Sequence, residues 1–323
     1  MNKSCTSKSE TRCTPHKGEM DETCELSPKN RCIKIKKKKS SQKKKPKKKT
    51  IKIVSWNING LRSKSMNVMN KDKSFNTESE LGKLIEKEQP DILCFGETKL
   101  QDMHVEVFKD LLPFKYQEYN CSKEKKGYSG VAVLSNIPFV SVSYIPGLED
   151  ENQGRNLLIE FDNFIIANVY VPNTGSNKDE YRRDFWDPTI TSFLEKYKND
   201  KDITKPLIYC GDLNAVRDND DIYNPDIIKK GTSAGVKEYE RKALENFINI
   251  GYIDALRHFN KNEKIWTWWD ARTRARQKTD KYANGNGWRL DYFLVSEKKI
   301  IKSAKIHSEI LGSDHCPILL EIK

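Results

Sequence analysis

The chain has 323 residues, of which 36% are hydrophobic and 10% aromatic, and a formal net charge of +12. That supplies the apolar material for one large α/β domain or two small ones. No run of about 18 apolar residues occurs, which excludes a membrane-spanning helix, and no apolar stretch near Met1 reads as a secretory signal.

The charge is unevenly placed. Residues 1–50 hold 17 Lys and Arg against 5 Asp and Glu, and the other residues hold 41 of each. A neutral body binds a polyanion only through a local basic face or a metal. Residues 1–33 are polar and aperiodic and are expected to be disordered. Glu10, Glu19, Asp21, Glu22 and Glu25 interrupt the basic face a mitochondrial import peptide needs. Residues 34–49 carry eleven lysines and no acid. Such a run repels itself and reads as a solvated linker, or as a nuclear address with non-specific DNA affinity; its KKKPKKK core favours the address. Cys5, Cys13, Cys24 and Cys32 lie in this tail, with His16, at spacings that do not match common zinc modules. Cys94, Cys121, Cys210 and Cys316 sit in apolar runs and read as buried, reduced thiols.

The composition changes at Ile51. Ile51–Trp56 alternates apolar and polar residues as a strand does, and Asn59-Gly60 ends it in a turn. Thr77-Glu78-Ser79-Glu80 predicts a capping box opening a helix with Leu81, Leu84 and Ile85 as its buried stripe. Strands follow at Ile92–Glu97, Val131–Leu134, Leu157–Phe161 and Phe164–Val171. Residues 180–197 suit a helix with Pro188 as a boundary or kink. Leu207–Cys210 is a buried strand ending in Gly211-Asp212. Val236–Ile250 is an amphipathic helix burying Ala243, Leu244, Phe247 and Ile248, and strands return at Leu290–Val295 and Pro317–Ile322. This organisation predicts a tail over 1–50 and one catalytic domain over 51–323.

Six apolar strands end in polar residues: Asn57, Glu97, Tyr170, Asp212, Asp291 and Asp314-His315. An Asp after a strand is usually a turn former. Six such ends together suit an enzyme that aims working groups out of one sheet edge. Glu97 and Asp314, with the amide oxygens of Asn57 and Asn59, are oxygen donors that suit Mg²⁺ or Mn²⁺ rather than zinc. Asp212 and Asn214 lie two residues apart, on one side of an extended backbone. The carboxylate can deprotonate water, and the amide can hold a phosphoryl oxygen. His315 can donate to a phosphate while Asp291 fixes its tautomer. The set suffices for metal-assisted phosphodiester hydrolysis by direct water attack.

Ser55-Trp56-Asn57-Ile58-Asn59-Gly60-Leu61-Arg62, Glu97-Thr98-Lys99, Gly127-Tyr128-Ser129-Gly130-Val131, Gly154-Arg155, Tyr170-Val171-Pro172-Asn173, Gly211-Asp212-Leu213-Asn214, Gly287-Trp288-Arg289-Leu290-Asp291-Tyr292 and Gly312-Ser313-Asp314-His315-Cys316-Pro317 resemble, in order, the exonuclease III family of apurinic/apyrimidinic endonucleases. The resemblance runs from about residue 51 to the end and covers none of residues 1–50. It implies a four-layered α/β sandwich, with two packed mixed sheets between helices. It also implies Mg²⁺-dependent incision 5′ to an abasic site in double-stranded DNA, leaving a 3′-hydroxyl, with 3′-5′ exonuclease or 3′-phosphodiesterase side activity; the enzyme is expected to be monomeric, and the lysine run at 34–49 makes the nucleus its expected place. Carried over by motif, Glu97 binds the metal with Asp314 nearby, and Asp212 prepares the attacking water. Asn214 contacts the phosphate, His315 with Asp291 stabilises the transition state, Tyr170 supports the phosphate or the leaving oxygen, and Asn57 orients the site. Asn57, Asp212, Asn214 and His315 count with Glu97 and Asp314 as the metal set, with Asn59 as a further candidate.

Trp268, Trp288 and Leu290 would line a pocket for the flipped baseless sugar, whose narrow apolar walls exclude an intact nucleotide. The competing reading of Trp266, Trp268 and Trp269 is core packing. Arg62, Lys99, Tyr128, Arg155 and Asn173 would contact or position the DNA strand, with a structural ion pair as the competitor for Arg155. Arg272, in an Arg-rich stretch between Trp269 and Gly287, would press on the bent duplex or sit in a solvated loop. Two departures stand out. Gly96 occupies a position where family members usually carry Gln, and Asn59 stands where some carry Asp. Other phosphoesterases share the Asn, Glu, Asp-x-Asn and Ser-Asp-His pieces, so chemistry alone leaves the substrate open; a non-catalytic DNA-binding protein is the remaining alternative.

Overall fold

A period of two along Ile51–Asn57 splits that strand between two cores. Ile53 faces one and Val54 the other, and both are fully buried. Ile92 and Cys94 alternate with Leu93 and Phe95 in the same way. Near-continuous apolar strands of this kind are buried on both faces, so each sheet needs cover on each side. The computed structural model describes residues 24–26, 32–34, 50–175, 179–261, 263–270 and 287–323.

In the tail, Cys24–Leu26 (β1) and Cys32–Lys34 (β2) pair antiparallel. The sequence reading expected no strand there; the rest of the disorder expected of the tail falls outside the described residues. The chain divides into two units, Met1–Lys49 and Thr50–Lys323.

In the larger unit, the first sheet is built from β3 (Ile51–Asn57), β4 (Ile92–Gly96), β5 (Tyr116–Asn120) and β6 (Val131–Ser135), with β15 (Ile301–Ile306) and β16 (Ile318–Ile322) added late in the chain. Its order is β15-β16-β3-β4-β6-β5. The second contains β7 (Ser141–Ser143), β8 (Asn156–Glu160), β9 (Ile165–Tyr170), β10 (Leu207–Asp212), β11 (Ile253–Asp254) and β14 (Asp291–Val295), in the order β11-β14-β10-β9-β8-β7. Each sheet is mixed. β3 and β4 are parallel, as are β9 and β10, and the other neighbours are antiparallel. A short ribbon pairs β12 (Trp268–Trp269) with β13 (Gly287–Trp288).

The two sheets face each other through Ile53, Ile92, Cys94 and Val133 on one side and Ile166, Ile208, Cys210 and Phe293 on the other. Outside the first sheet, Trp56 and Phe95 pack against Leu81 and Leu84 of α1 (Glu80–Glu88) and Phe108 of α2 (Asp102–Leu111). Outside the second, Val169 and Tyr209 meet Ile190 and Leu194 of α3 (Asp187–Asn199). Leu244 and Phe247 of a later helix, Glu238–Asn249, complete that layer. The result is the expected four-layered sandwich. Truncating one of these fully buried aromatics to Ala costs about 3–5 kcal/mol. Among the described residues, Cys94, Cys121, Cys210 and Cys316 are buried thiols that form no disulfide, as expected. Among the described residues no helix is long and apolar enough to cross a membrane.

Several local expectations are corrected. The N-cap of α1 is Ser79, whose hydroxyl accepts from the Gly82 N–H at 3.0 Å, and not Thr77. The helix expected over 180–197 is present, as a wide turn at Tyr181–Trp186 that continues into α3, and the change of helix type falls beside Pro188, the expected boundary. The Trp266–Trp269 run is a strand only at Trp268–Trp269. α2, β5 and β15 were not foreseen. α2 buries only Phe108 and Leu111, and β5 and β15 are polar edge strands, so their apolar periodicity is weak.

Candidate active site

Parallel β3 and β4 leave the first sheet at the edge where β9 and β10 leave the second. Asn57, Glu97, Tyr170 and Asp212 therefore emerge together. β14 and β16 run the opposite way and enter at this same edge. Asp291 is the first residue of β14 and the direct cross-strand partner of Asp212, and Asp314-His315 precede β16. These last three were expected at strand ends; they stand at strand beginnings, and the antiparallel direction brings them to the shared edge.

A cavity of about 330 Å³ opens there. Asn57, Glu97, Tyr170, Asn173, Asp212, Asn214, Trp268, Trp288, Leu290, Asp314 and His315 line it, together with Ala234 and Gly235. The first eleven were candidates from sequence. Asp291 is fully buried beneath them.

One set of hydrogen bonds joins the floor. Asp212 accepts from Asn57 Nδ2 at 2.9 Å and from the Asn214 backbone N–H at 2.9 Å. Its Oδ2 lies 3.6 Å from His315 Nε2. The other ring nitrogen, Nδ1, is 2.8 Å from Asp291 Oδ2. Burial works against a charged imidazole, but Asp291, then Asp212 and Asp314, overcome it and push His315 up to about 10. Burial, reinforced by the Asp291 charge, pushes the Asp212 carboxyl well above the usual carboxylate range, although His315 opposes it. The surrounding carboxylates thus favour the imidazolium form, in which both ring nitrogens are donors.

A second set holds the opposite wall. Tyr170 donates to Glu97 Oε1 at 2.7 Å. Asn59 Nδ2 donates to Asp314 Oδ1 at 2.9 Å, and Trp268 Nε1 donates to Asp314 Oδ2 at 3.1 Å. Lys99 Nζ donates to Asn59 Oδ1 and stands 3.7 Å from Glu97 Oε2. Both ends of the Asn59 amide are engaged, so Asn59 orients Asp314 and anchors Lys99. Burial would raise the Asp314 carboxyl, yet His315 and the Trp268 and Asn59 donors hold it below its ordinary value.

Backbone strain marks the same loops. Glu97 has φ +52°, Lys99 +51° and Asn214 +46°. The left-handed region costs a residue such as Glu about 1–2 kcal/mol. Bonds from Thr98 N to Gly130 O at 2.9 Å and from Lys99 N to Ser129 O at 2.8 Å hold it there. Such strain clusters at working sites. A side chain at Gly96 would meet Asn57 at ordinary contact distances of 3.6 Å, so the site does not require glycine there. Glu97 is aimed by Tyr170 and its own loop.

The oxygen donors fit a hard divalent cation. Glu97 and Asp314 line the cavity with two carboxylates, and Asn57, whose amide oxygen accepts from the Asn59 N–H at 3.1 Å, adds a neutral donor. Asp212, Asp291 and His315 lie mutually within 4.8 Å and form a second acidic cluster. Within that trio His315 Nδ1 is bonded to Asp291 Oδ2 and Asp212 accepts from Asn57 and Asn214, while Asp291 Oδ1 has no hydrogen-bond partner.

The substrate candidates divide. Trp268 and Trp288 face each other across the β12–β13 ribbon, ring centroids 5.7 Å apart and edge-on; with Leu290 they form the apolar lobe of the cavity. Asn173 Nδ2 donates to Asn214 Oδ1 at 3.0 Å, at the rim. Arg62, which follows the Asn59 turn in sequence, is exposed. Arg155 is 1% exposed. Its Nη1 donates to the Tyr170 carbonyl at 3.1 Å and its Nη2 to the Tyr128 hydroxyl at 2.7 Å, with its plane over both rings. Of the two readings offered for Arg155, contact or positioning, its burial leaves the second: it is a strut under Tyr128 and Tyr170. Arg272 lies outside the described residues.

Two features escaped the sequence reading. Gly235, at φ +86°, brings its backbone so close that an added Cβ would sit 3.1 Å from Trp288 Cζ3; the small Ala234-Gly235 pair is its signature in the sequence. Arg289, between the wall residues Trp288 and Leu290, is fully buried. It bonds Asp221 at 2.7 and 2.9 Å and lies 2.8 Å from Asp254. Only the tertiary structure reveals these two acids as its partners.

Carboxylates, an imidazolium and amides around one oxygen-lined cleft, on two packed sheets, define a hydrolase of phosphate esters. The sequence profile of the Endonuclease/Exonuclease/phosphatase family matches residues 54–315, and the chain belongs to that family. It is 37% identical over 278 residues to an exodeoxyribonuclease of Bacillus subtilis, covering 84% of this chain and 99% of the relative. It is 36% identical over 277 residues to a DNA-(apurinic or apyrimidinic site) endonuclease of Dictyostelium discoideum, covering 83% and 69%. The fold is shared with the AP endonuclease LMAP of Leishmania major, at a TM-score of 0.69 and 24% identity, over 85% of this chain and 88% of that one.

Proposed function

We propose that this protein is a DNA-(apurinic or apyrimidinic site) endonuclease of base excision repair. It hydrolyses the phosphodiester 5′ to an abasic site, leaves a 3′-hydroxyl, and trims 3′ ends as a side activity. The observation that carries this reading is the union, in one cavity, of the Asp212–His315 pair with an apolar lobe of Trp268, Trp288 and Leu290. Such a lobe admits a baseless deoxyribose and excludes an intact nucleotide. Similarity to relatives named as an AP endonuclease and an exodeoxyribonuclease supports the same substrate.

In this mechanism Asp212 takes the proton of the attacking water, its orientation held by Asn57 and by the Asn214 backbone. The His315 imidazolium, fixed by Asp291, donates to a phosphoryl oxygen as charge builds. Asn214 and Asn173 offer amides to the phosphate, and Tyr170 orients Glu97. Glu97 and Asp314, with Asn57, would hold Mg²⁺ or Mn²⁺, which supplies Lewis-acid stabilisation of phosphoryl charge. The enzyme works as a monomer on duplex DNA, since one chain supplies every group named. The lysine run at 34–49 supports a nuclear address; residues 1–50 fused to a reporter that stays cytoplasmic would remove that part of the reading.

The test is incubation with a duplex carrying a tetrahydrofuran abasic analogue, with Mg²⁺ and with chelator. Cleavage 5′ to the analogue only in the metal tube is expected. Uncut strand in both, alongside hydrolysis of a 3′-phosphate or an inositol phosphate, would transfer the protein to another phosphoesterase activity.

A further inference from the structure

Arg182 lies outside the cavity lining, yet it holds both of the loops that carry the phosphate-facing amides. Its side chain is 2% exposed. Nη1 donates to the Asn214 carbonyl at 2.8 Å and to the Pro172 carbonyl at 3.2 Å, and Nη2 donates to the Leu213 carbonyl at 3.0 Å. On its far side Nε donates to Asp187 Oδ2 at 3.3 Å, and Nη1 is 3.3 Å from Glu240 Oε1. Glu240, fully buried, also accepts from the Thr174 hydroxyl at 2.7 Å.

We propose that Arg182 is a positioning residue that sets the spacing between the Tyr170–Asn173 and Asp212–Asn214 segments, and so the placement of Asn173, Asn214 and Asp212 on the scissile phosphate. The inference rests on the hydrolytic reading of the site given above. Three carbonyl acceptors from two loops converge on one planar guanidinium. A lysine keeps the charge but has no fork with which to hold them at fixed separation. Asn214 transmits the constraint. Its carbonyl is tied to Arg182, its N–H to Asp212 Oδ1 at 2.9 Å, and its amide to the Val171 carbonyl at 2.9 Å and to Asn173. The wide helical turn Tyr181–Trp186 directs Arg182 inward. Extra-wide turns of this kind recur at functional sites. Asp187 and Glu240 neutralise the cation from behind, on helices that never reach the cavity.

The test compares the full-length wild type, Arg182→Lys and Asp187→Asn on the abasic-analogue duplex in Mg²⁺, with melting temperature and circular dichroism for each. Asp187→Asn weakens the rear anchor alone, and it is expected to lower the melting temperature while kcat stays within about twofold. Arg182→Lys is expected to lower kcat about 100-fold, the scale of a misplacement near 1 Å, with KM nearly unchanged. Equal kcat for the two variants, or a loss in Arg182→Lys that follows its melting temperature and vanishes on cooling, would overturn the proposal. Should Arg182→Lys not fold, Arg182→Gln, which retains two of the donors, carries the same comparison. A wild type inert on this duplex would instead remove the endonuclease reading; the same variants would then be read on the 3′-end substrates, where an unchanged kcat in Arg182→Lys would still overturn the positioning role.

Discussion

Trp268 donates its indole N–H to Asp314 Oδ2 at 3.1 Å. An aromatic wall of the cavity's apolar lobe, proposed to receive the baseless sugar, is thereby bonded to a carboxylate proposed as a metal ligand. Trp268→Phe keeps an aromatic wall and removes only that donor. The Mg²⁺ concentration giving half-maximal cutting is expected to rise roughly tenfold, as for other lost partners of metal ligands. A metal titration of initial rates checks it, and an unchanged midpoint would show that Asn59 suffices to orient Asp314.

Asp212→Asn retains the shape of the floor but removes the base. Cutting of the abasic duplex is expected to fall about 10³-fold, while its dissociation constant, measured in Ca²⁺ or chelator, stays within a fewfold. Equal loss of binding and cutting would contradict the assigned role.

The pH profile follows from the two shifted groups. Cutting rises as Asp212 ionises, at a pH above the usual carboxylate range because burial and Asp291 oppose its charge. It falls only as His315 loses its proton, toward about 10. Asp291→Asn removes a charge that raises both groups, so both limbs of the profile are expected to move to lower pH. A kcat/KM profile for the variant that superimposes on that of the wild type would sink the pairing as a functional device.

Metal binding can be read without turnover. A cation held in the folded state alone stabilises it by about 2.7 kcal/mol when present at a hundred times its Kd. Mg²⁺ is expected to raise the melting temperature of the wild type and to leave Glu97→Gln unmoved. An equal rise in both would place the ion elsewhere.

The tail should act through charge. Removing residues 1–49 deletes the whole of the excess positive charge and leaves a body with equal numbers of acidic and basic residues. Non-specific duplex binding is expected to weaken at low salt, with a shallower slope of log K against log salt, while kcat on the abasic substrate is preserved. Fluorescence anisotropy over a salt series measures the slope.

The chemistry of the site was legible in order along the chain because polar residues interrupt apolar strands of period two. Asn57, Glu97, Tyr170 and Asp212 stand out for that reason, and the motif order from residue 51 onward placed His315 and Asp314 with them. Helices with a clear apolar stripe, such as the one burying Leu244 and Phe247, were equally readable. α2 and the polar edge strands were not, since packing rather than pattern decides them.

Local sequence determined the residue types, the two-sided burial of the strands and the charge contrast between tail and body, because each depends on neighbours a few positions away. Tertiary structure alone decided which groups meet: that β14 and β16 enter where β10 leaves, that Asp291 lies opposite Asp212, that Arg155 is a strut, and that Arg182 and Arg289 are sunk among acids. Strand direction and burial set a side chain's partners and its electrostatic environment, and neither is carried by the residue itself.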